Sequence, residues 1–155
     1  MTKVKTHGNG FIRVYLSDDH LLHFYSSDIP RQVVSTETHD HRFSFDSLIL
    51  QGELAQETFE EVPGNDFDVY TDEGDKLVSV ERSCSLRLRS FETFKVGQSY
   101  HLEAGVIHRV WPVGTCLTEV KRTYGEPIPV RIYVRRGQVP DNSFNNSPIT
   151  MGESR

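Results

Sequence analysis

The sequence predicts an all-β domain, a sandwich or small barrel of short antiparallel strands. Three observations carry this reading. Apolar and polar residues alternate through Leu77 to Phe94 and through Val130 to Val134, the period that lays one face of a strand on a core. Turn residues recur at short intervals between such runs. Every stretch long enough for a helix instead alternates or is rich in β-branched residues. Many short strands without an internal repeat favour sheet packed on sheet, or a sheet closed on itself.

Phe11 to Leu16 and His20 to Tyr25 flank Ser17-Asp18-Asp19, a hairpin with a short polar loop. Pro30 breaks regular pairing, and Gln32 to Thr36 leads extended into a pair of histidines. Asp46 to Leu50 is the next strand, with Gly52 as the turn into Leu54 to Phe59. From Glu53 to Asp75 there are nine acidic residues and no basic one, with turn signals at Pro63 to Asp66 and Asp72 to Asp75. A solvated hairpin protruding from the core is expected there. Leu77 to Phe94 follows, with Leu86 and Leu88 on one face and Arg87 and Arg89 on the other. Cys116 to Lys121 and Val130 to Val134 are two further strands around Glu126-Pro127. The domain is expected to span residues 1–136. Beyond Gly137 the composition turns to Asn, Ser, Pro and Gly, so residues 137–155 read as a surface arm or flexible tail.

An apolar fraction of 36% and a charged fraction of 25% in 155 residues fit one globular domain with one core. The net charge of -5 gives no basic footprint for nucleic acid. No apolar run suits a membrane span and no signal-peptide core is seen, so no membrane contact and a cytoplasmic location are expected. Cys84 and Cys116 sit in strand-like contexts and read as buried small side chains, not as a disulfide framework.

The function-bearing stretch is Thr38 to Gly52. On an extended chain His39 and His41 point the same way, and imidazole suits iron, copper, nickel or zinc. A second segment, Gly97 to His108, supplies His108 after a glycine turn at Gly105. Asp40, between the paired histidines, should face the opposite side as a surface or turn residue. His101 and, outside both segments, His7, His20 and His23 are expected at the surface or in the core.

Together the two segments resemble the two motifs of the cupin superfamily. His39, His41, Asp46 and Gly52 fill the first, with Asp for the usual Glu and one residue too few before the glycine. Gly97, Gly105 and His108 match the second, while Glu103 stands at its proline and Pro112 at its asparagine. A tighter resemblance is to thiol dioxygenases of the cysteine dioxygenase type. His39-Asp40-His41, Leu50 to Leu54 with Glu57-Thr58-Phe59, and His108-Arg109-Val110 look like that family's strand, turn and third-ligand segment.

The resemblance implies a double-stranded β-helix, or jelly-roll, barrel. It implies a divalent metal, Fe(II) first and Zn, Ni or Mn as alternatives, on His39, His41 and His108. Asp46 is either a fourth ligand or an acceptor for a ligand N–H. Counted forward from His41 it takes the place of the cupin acid, but counted back from Gly52 that place falls to Phe45, and a slip of one residue reverses the face. Thiol dioxygenases also place an arginine on an early strand, two residues after an aromatic, to bind the substrate carboxylate. Phe11-Ile12-Arg13 fits that pattern, and a guanidinium offers a carboxylate a planar bidentate partner. Arg82, Arg87, Arg89 and Arg131 compete as anion binders.

Tyr124 and Glu103 are the candidate catalytic side chains, with Tyr100 as a further proton carrier. The leading function is a non-haem iron dioxygenase acting on a small carboxylated substrate, a thiol among the options. The alternatives are a metal-dependent isomerase or lyase, and a non-enzymatic cupin that captures a small metabolite or signalling molecule. Phe11, Tyr15, Phe24 and Tyr25 on the first hairpin suggest a homodimer formed edge to edge.

Overall fold

The computed structural model describes residues 3–7, 11–26, 38–73, 76–125, 128–138 and 147–148. Among them none is helical. The strands are β1 (Lys3–His7), β2 (Phe11–Tyr15), β3 (His20–Tyr25), β4 (Phe43–Asp72), β5 (Leu77–Lys95), β6 (Ser99–Leu102), β7 (Ile107–Tyr124), β8 (Val130–Arg135) and β9 (Ser147–Pro148). Every pairing is antiparallel, in the order β5-β4-β7-β3-β2-β1-β9, with β6 and β8 also on β4. The all-β class is observed, but burial does not alternate along the two strands that suggested it: β5 buries only Cys84 and Phe94, and in β8 Ile132, Tyr133 and Val134 are buried in succession. The lead at 32–36, the break at Pro30, the turn residues 74–75 and 126–127, and most of 137–155 lie outside the described residues. Within that last stretch, Ser147 and Pro148 pair with Thr6 and Lys5 of β1.

The long β4 organises the barrel. Its first part pairs with the end of β7, Phe43 opposite Tyr124 through Ile49 opposite Thr118. Its middle, Glu53 to Phe59, pairs with the start of β7, and its end, Phe67 to Asp72, pairs with β8. The histidine segment closes the ring, because His39 bridges both His108 at the start of β7 and Ile132 of β8.

Gly52 is a bulge in this continuous strand and not the expected hairpin turn. Its φ is +78°, and a Cβ there would lie 2.0 Å from the Thr115 carbonyl oxygen. Glycine alone tolerates both the left-handed backbone and that approach. The register slips twice here, at Leu50 between Ile49 and Gln51 and across Gly52 between Gln51 and Glu53. Before the bulge the odd-numbered residues Phe43, Phe45, Ser47 and Ile49 are buried; after it Leu54, Ala55 and Gln56 are. Pro63 to Asp66 is likewise an interruption inside the strand, where Val62 and Phe67 face the adjacent residues Ser85 and Cys84.

The acidic stretch is therefore a paired strand and not a solvated hairpin. β5 lies along it, and its charges meet partners across the ladder. Glu61 bonds Arg82, Glu60 bonds Arg87, Asp68 accepts from Ser83 at 2.8 Å and Asp66 from Ser85 at 2.7 Å. On β7, Arg109 bonds Glu57. Cross-strand pairs of opposite charge favour this register over a free loop. Leu86 packs on the core but Leu88 is exposed, although the ladder runs in regular register from Leu86 to Leu88.

The core lies between the inward faces of the strands. Leu21, Ile49, Leu54, Cys116, Val69 and Ile132 are at most 1% exposed, and each large aliphatic side chain among them stabilises the fold by about 2 kcal/mol. Both cysteines are buried and free, and burial pushes each thiol up to about 11, which keeps them inert. The predicted first hairpin forms, Tyr15 opposite Leu21. Its setting differs from the edge envisaged for a dimer: Phe11 and Tyr25 are core residues, and β2 is covered on both sides, by β1 and β3. No helix among the described residues is long and apolar enough to cross a membrane.

Candidate metal centre

The histidine segment is held on both sides before β4 begins. His39 N–H donates to the His108 carbonyl at 3.1 Å and His108 N–H returns to His39 at 2.8 Å. On the other side Asp40 N–H donates to Arg131 O at 3.0 Å, and Tyr133 N–H to Thr38 O at 2.9 Å. Period two then carries one face inward through His39, His41, Phe43 and Phe45. His108 opens β7 directly across from it.

The three imidazoles converge. Their ligand nitrogens all lie within 4.8 Å of one another, and the ring centroids are 4.7 to 5.0 Å apart. His41 Nε2 and His108 Nε2 are separated by 2.9 Å. Two nitrogens about 2.1 Å from one ion and about 90° apart would lie about 3.0 Å from each other, so the donor set suits a divalent cation. Burial, and next the neighbouring imidazole of His39, holds His41 and His108 well below the usual histidine range. They are neutral and available as ligands.

Gln56 fixes the tautomer of His108. Its Oε1 lies 3.0 Å from His108 Nδ1 and can only accept, so Nδ1 carries the proton and Nε2 presents a lone pair. Without a metal, His41 Nε2–H donates to that lone pair. Phe43 and Phe45 wall the other side, 4.8 and 5.4 Å from the His41 ring.

Asp40 overturns the surface reading given to it. It is fully buried and accepts from the Arg131 backbone N–H at 2.6 Å and from Arg131 Nε at 2.7 Å. The side opposite the histidines is covered by β8, so an outward-facing residue becomes an interior one.

Asp46 is not in the convergent group. Neighbours of even number on this part of β4 face out, and its exposed carboxylate bonds His101 Nδ1 at 2.9 Å. Phe45 takes the inward place. Glu103 is also exposed and bonds His101 Nε2 at 2.7 Å. Tyr124 is half exposed, with its ring 5.4 Å from Phe43 and its hydroxyl 3.4 Å from Arg122 Nη1. Tyr100 stacks on Phe94 at 4.4 Å. Of the arginines weighed as anion binders, Arg82, Arg87 and Arg131 each hold a carboxylate of this chain, and Arg89 is exposed.

Arg13 faces inward, on the same side of β2 as buried Phe11. Its Nε donates to His23 Nε2 at 3.3 Å and its Nη1 to the Tyr15 hydroxyl at 3.3 Å. Its positive charge reaches His41 and adds to what keeps that imidazole neutral. Gln56 and Arg122 were not singled out from the sequence. Arg122 had a signal: it continues the buried series Cys116, Thr118, Val120 at period two.

No protein-family model matches the sequence, and no curated protein matches it. Among solved structures the chain is similar to the X-ray structure of E. coli ycfD, with 13% identity, 70% of this chain and 26% of that one covered, and a TM-score of 0.46. It is similar to FeII HppE with 13% identity, 74% and 50% coverage, and a TM-score of 0.41. A third is hydroquinone 1,2-dioxygenase PnpCD in complex with Cd2+ and 4-hydroxybenzonitrile, with 12% identity, 72% and 62% coverage, and a TM-score of 0.42. The chain spans less than two thirds of the length of each, and likeness at this level assigns no activity.

Proposed function

We propose that the chain is a metal-dependent cupin whose ion is held by His39, His41 and His108, and that it is a non-haem iron dioxygenase acting on a small carboxylated substrate, a thiol among the options. The observation that carries this reading is the convergence of three imidazoles, two of them kept neutral by burial, around one point inside a β-barrel. A ferrous ion there would supply the one-electron chemistry that lets dioxygen react with a closed-shell substrate. The chain's own groups do the rest. Gln56 keeps the His108 lone pair aimed inward, and the backbone bridges of His39 fix the paired histidines. Phe43 and Phe45 keep water from one side of the centre. Arg13, steadied by Tyr15 and His23, offers the substrate carboxylate a planar pair of donors. Tyr124 stands at the rim near Arg122 as the candidate proton carrier. No step falls to Glu103, whose carboxylate is engaged by His101.

The test is metal per chain by elemental analysis after expression with iron, followed by oxygen uptake with small carboxylated thiols. His41→Ala and His108→Ala are expected to lower iron content at least about tenfold while His20→Ala and His101→Ala keep it. Stoichiometric metal in both His41→Ala and His108→Ala ends the metal reading and leaves a cupin that only captures a small molecule.

A further inference from the structure

Two guanidiniums sit on the inward wall beside the imidazoles with no carboxylate among the described residues to balance them. The register shows how they come together. Arg13 pairs with His23 of β3, His23 pairs with Thr118 of β7, and Arg122 lies on the same face of β7 as Thr118 and Val120. Arg13 spends its Nε on His23 and its Nη1 on Tyr15, both neutral groups. Arg122 lies over the Phe43 ring at 4.5 Å and meets the Tyr124 hydroxyl, and its Nε is buried with no hydrogen-bond partner among the described residues. The acids on adjoining strands are engaged elsewhere: Glu119 pairs with His20 at 3.2 Å and Asp46 with His101.

The two cations also feel each other. Burial first, and Arg122 next, lower the Arg13 pKa. Tyr15 lies within reach of both. Burial acts to raise it, but the charge and hydrogen bond of Arg13, with further pull from Arg122 and Lys5, bring it below its usual range. The charge of Arg122, like that of Arg13, reaches His41. Two like charges on one face, Arg13 buried and Arg122 half-buried with an unmet Nε donor, are groups that a bound anion would bring into balance.

We propose that Arg13 and Arg122, with the Tyr15 hydroxyl between them, form an anion receptor for a small dianion inside the barrel, Arg122 being the residue that selects two negative charges over one. The proposal rests on the three-histidine reading only for what the bound anion faces; the receptor itself is built from the arginines. Two guanidiniums and no acid match a ligand that brings both charges, whether as two carboxylates or as one doubly charged head group.

The experiment is titration calorimetry at low ionic strength on the chelator-treated and the iron-loaded chain, with succinate, inorganic phosphate and acetate. One equivalent of succinate or phosphate is expected to bind without metal, and acetate about tenfold more weakly. Arg122→Gln should weaken the dianion about 10- to 100-fold and acetate less than about threefold. Arg13→Gln should weaken all. Unfolding curves check that each variant is folded, and if Arg122→Gln is not, Arg122→Lys decides: it keeps the charge but loses the fork, and should weaken the dianion about tenfold. Preference between succinate and phosphate separates the two head-group chemistries. Absence of dianion binding to the wild type, or binding unchanged by Arg122 substitution, overturns the proposal. Arg122-dependent binding in a chain that takes no metal would sink the iron reading and leave this one standing; stoichiometric iron without it does the reverse.

Discussion

Replacing Asp40 should cost both stability and metal. Its carboxylate is fully buried, and both its contacts are charge-assisted: the Arg131 backbone N–H at 2.6 Å and Arg131 Nε at 2.7 Å. Removing it with Asp40→Ala deletes two hydrogen bonds of a kind that contributes about 1.5 to 3 kcal/mol each. The full sum does not apply, because the Arg131 side chain is 36% exposed and water can take back its charge. The backbone N–H, covered by the segment, has no such recourse. About 3 kcal/mol is therefore expected, a fall in Tm of about 6 to 12 °C for a domain of this size.

The same change loosens the residue between His39 and His41. Metal affinity should fall at least about tenfold, in the range seen when groups that orient ligands are lost. Asp40→Asn keeps an acceptor for the backbone N–H but not the charge, so it should lie between. Thermal unfolding of the metal-free chain reads the first effect, and competition with a metal chelator reads the second. A Tm within about 2 °C of wild type would refute the stability argument. Lost stability with unchanged affinity would show that Asp40 braces the barrel without positioning the histidines.

Gln56→Leu should leave the barrel folded and weaken metal binding about 10- to 100-fold in the same chelator competition, because His108 then loses the acceptor that keeps its lone pair inward. For the metal-free chain, acid should destabilise. His41 and His108 are held neutral by burial in the fold, whereas in the unfolded chain both titrate near 6.5. Below 6.5 the unfolded chain therefore binds more protons, and stability present above that pH is lost as pH falls. Between pH 6.5 and 5.5 the two groups together should cost about 2 kcal/mol, read by denaturant unfolding at each pH. His101, raised by Asp46 and then Glu103, works the opposite way, so a His101→Asn background isolates the effect. A slope that persists after His41 and His108 are both replaced by Asn would assign it elsewhere.

Much of this was legible because it depends on period two. The strands themselves, the first hairpin and the shared face of His39 and His41 all follow from local spacing, which the fold keeps, although burial along β5 and β8 does not alternate. What escaped depends on what lies across a ladder. The acidic stretch 53–75 looked solvated because its own residues carry no basic charge; the arginines that match it lie on β5 and β7, far along the chain. Asp40 was placed outside because period two tells which way a residue points but not whether another strand covers that side. β8, which covers it, is some ninety residues further on. Gln56 belongs to the same class, since it acts through a partner brought by pairing, whereas Arg122 continues a local period-two series on β7.

The ambiguity over Asp46 had a single physical origin. Counting forward from His41 and counting back from Gly52 disagreed by one residue, and the bulge at Gly52 lies in the interval being counted. On the His41 side of the bulge the inward series is odd-numbered, ending at Ile49; on the far side Leu54, Ala55 and Gln56 are all buried, and it is the even-numbered Gln56 that reaches His108. A count that crosses the bulge therefore changes face, while one that stays within 39–49 does not. The count forward from His41 gives Asp46 the place of the acid and the count back from Gly52 gives it to Phe45; the structure turns Phe45 inward and Asp46 outward to His101, as parity from His41 requires. The same change of face delivers Gln56 to His108. The bulge that removes Asp46 from the centre thus supplies the group that orients its third histidine.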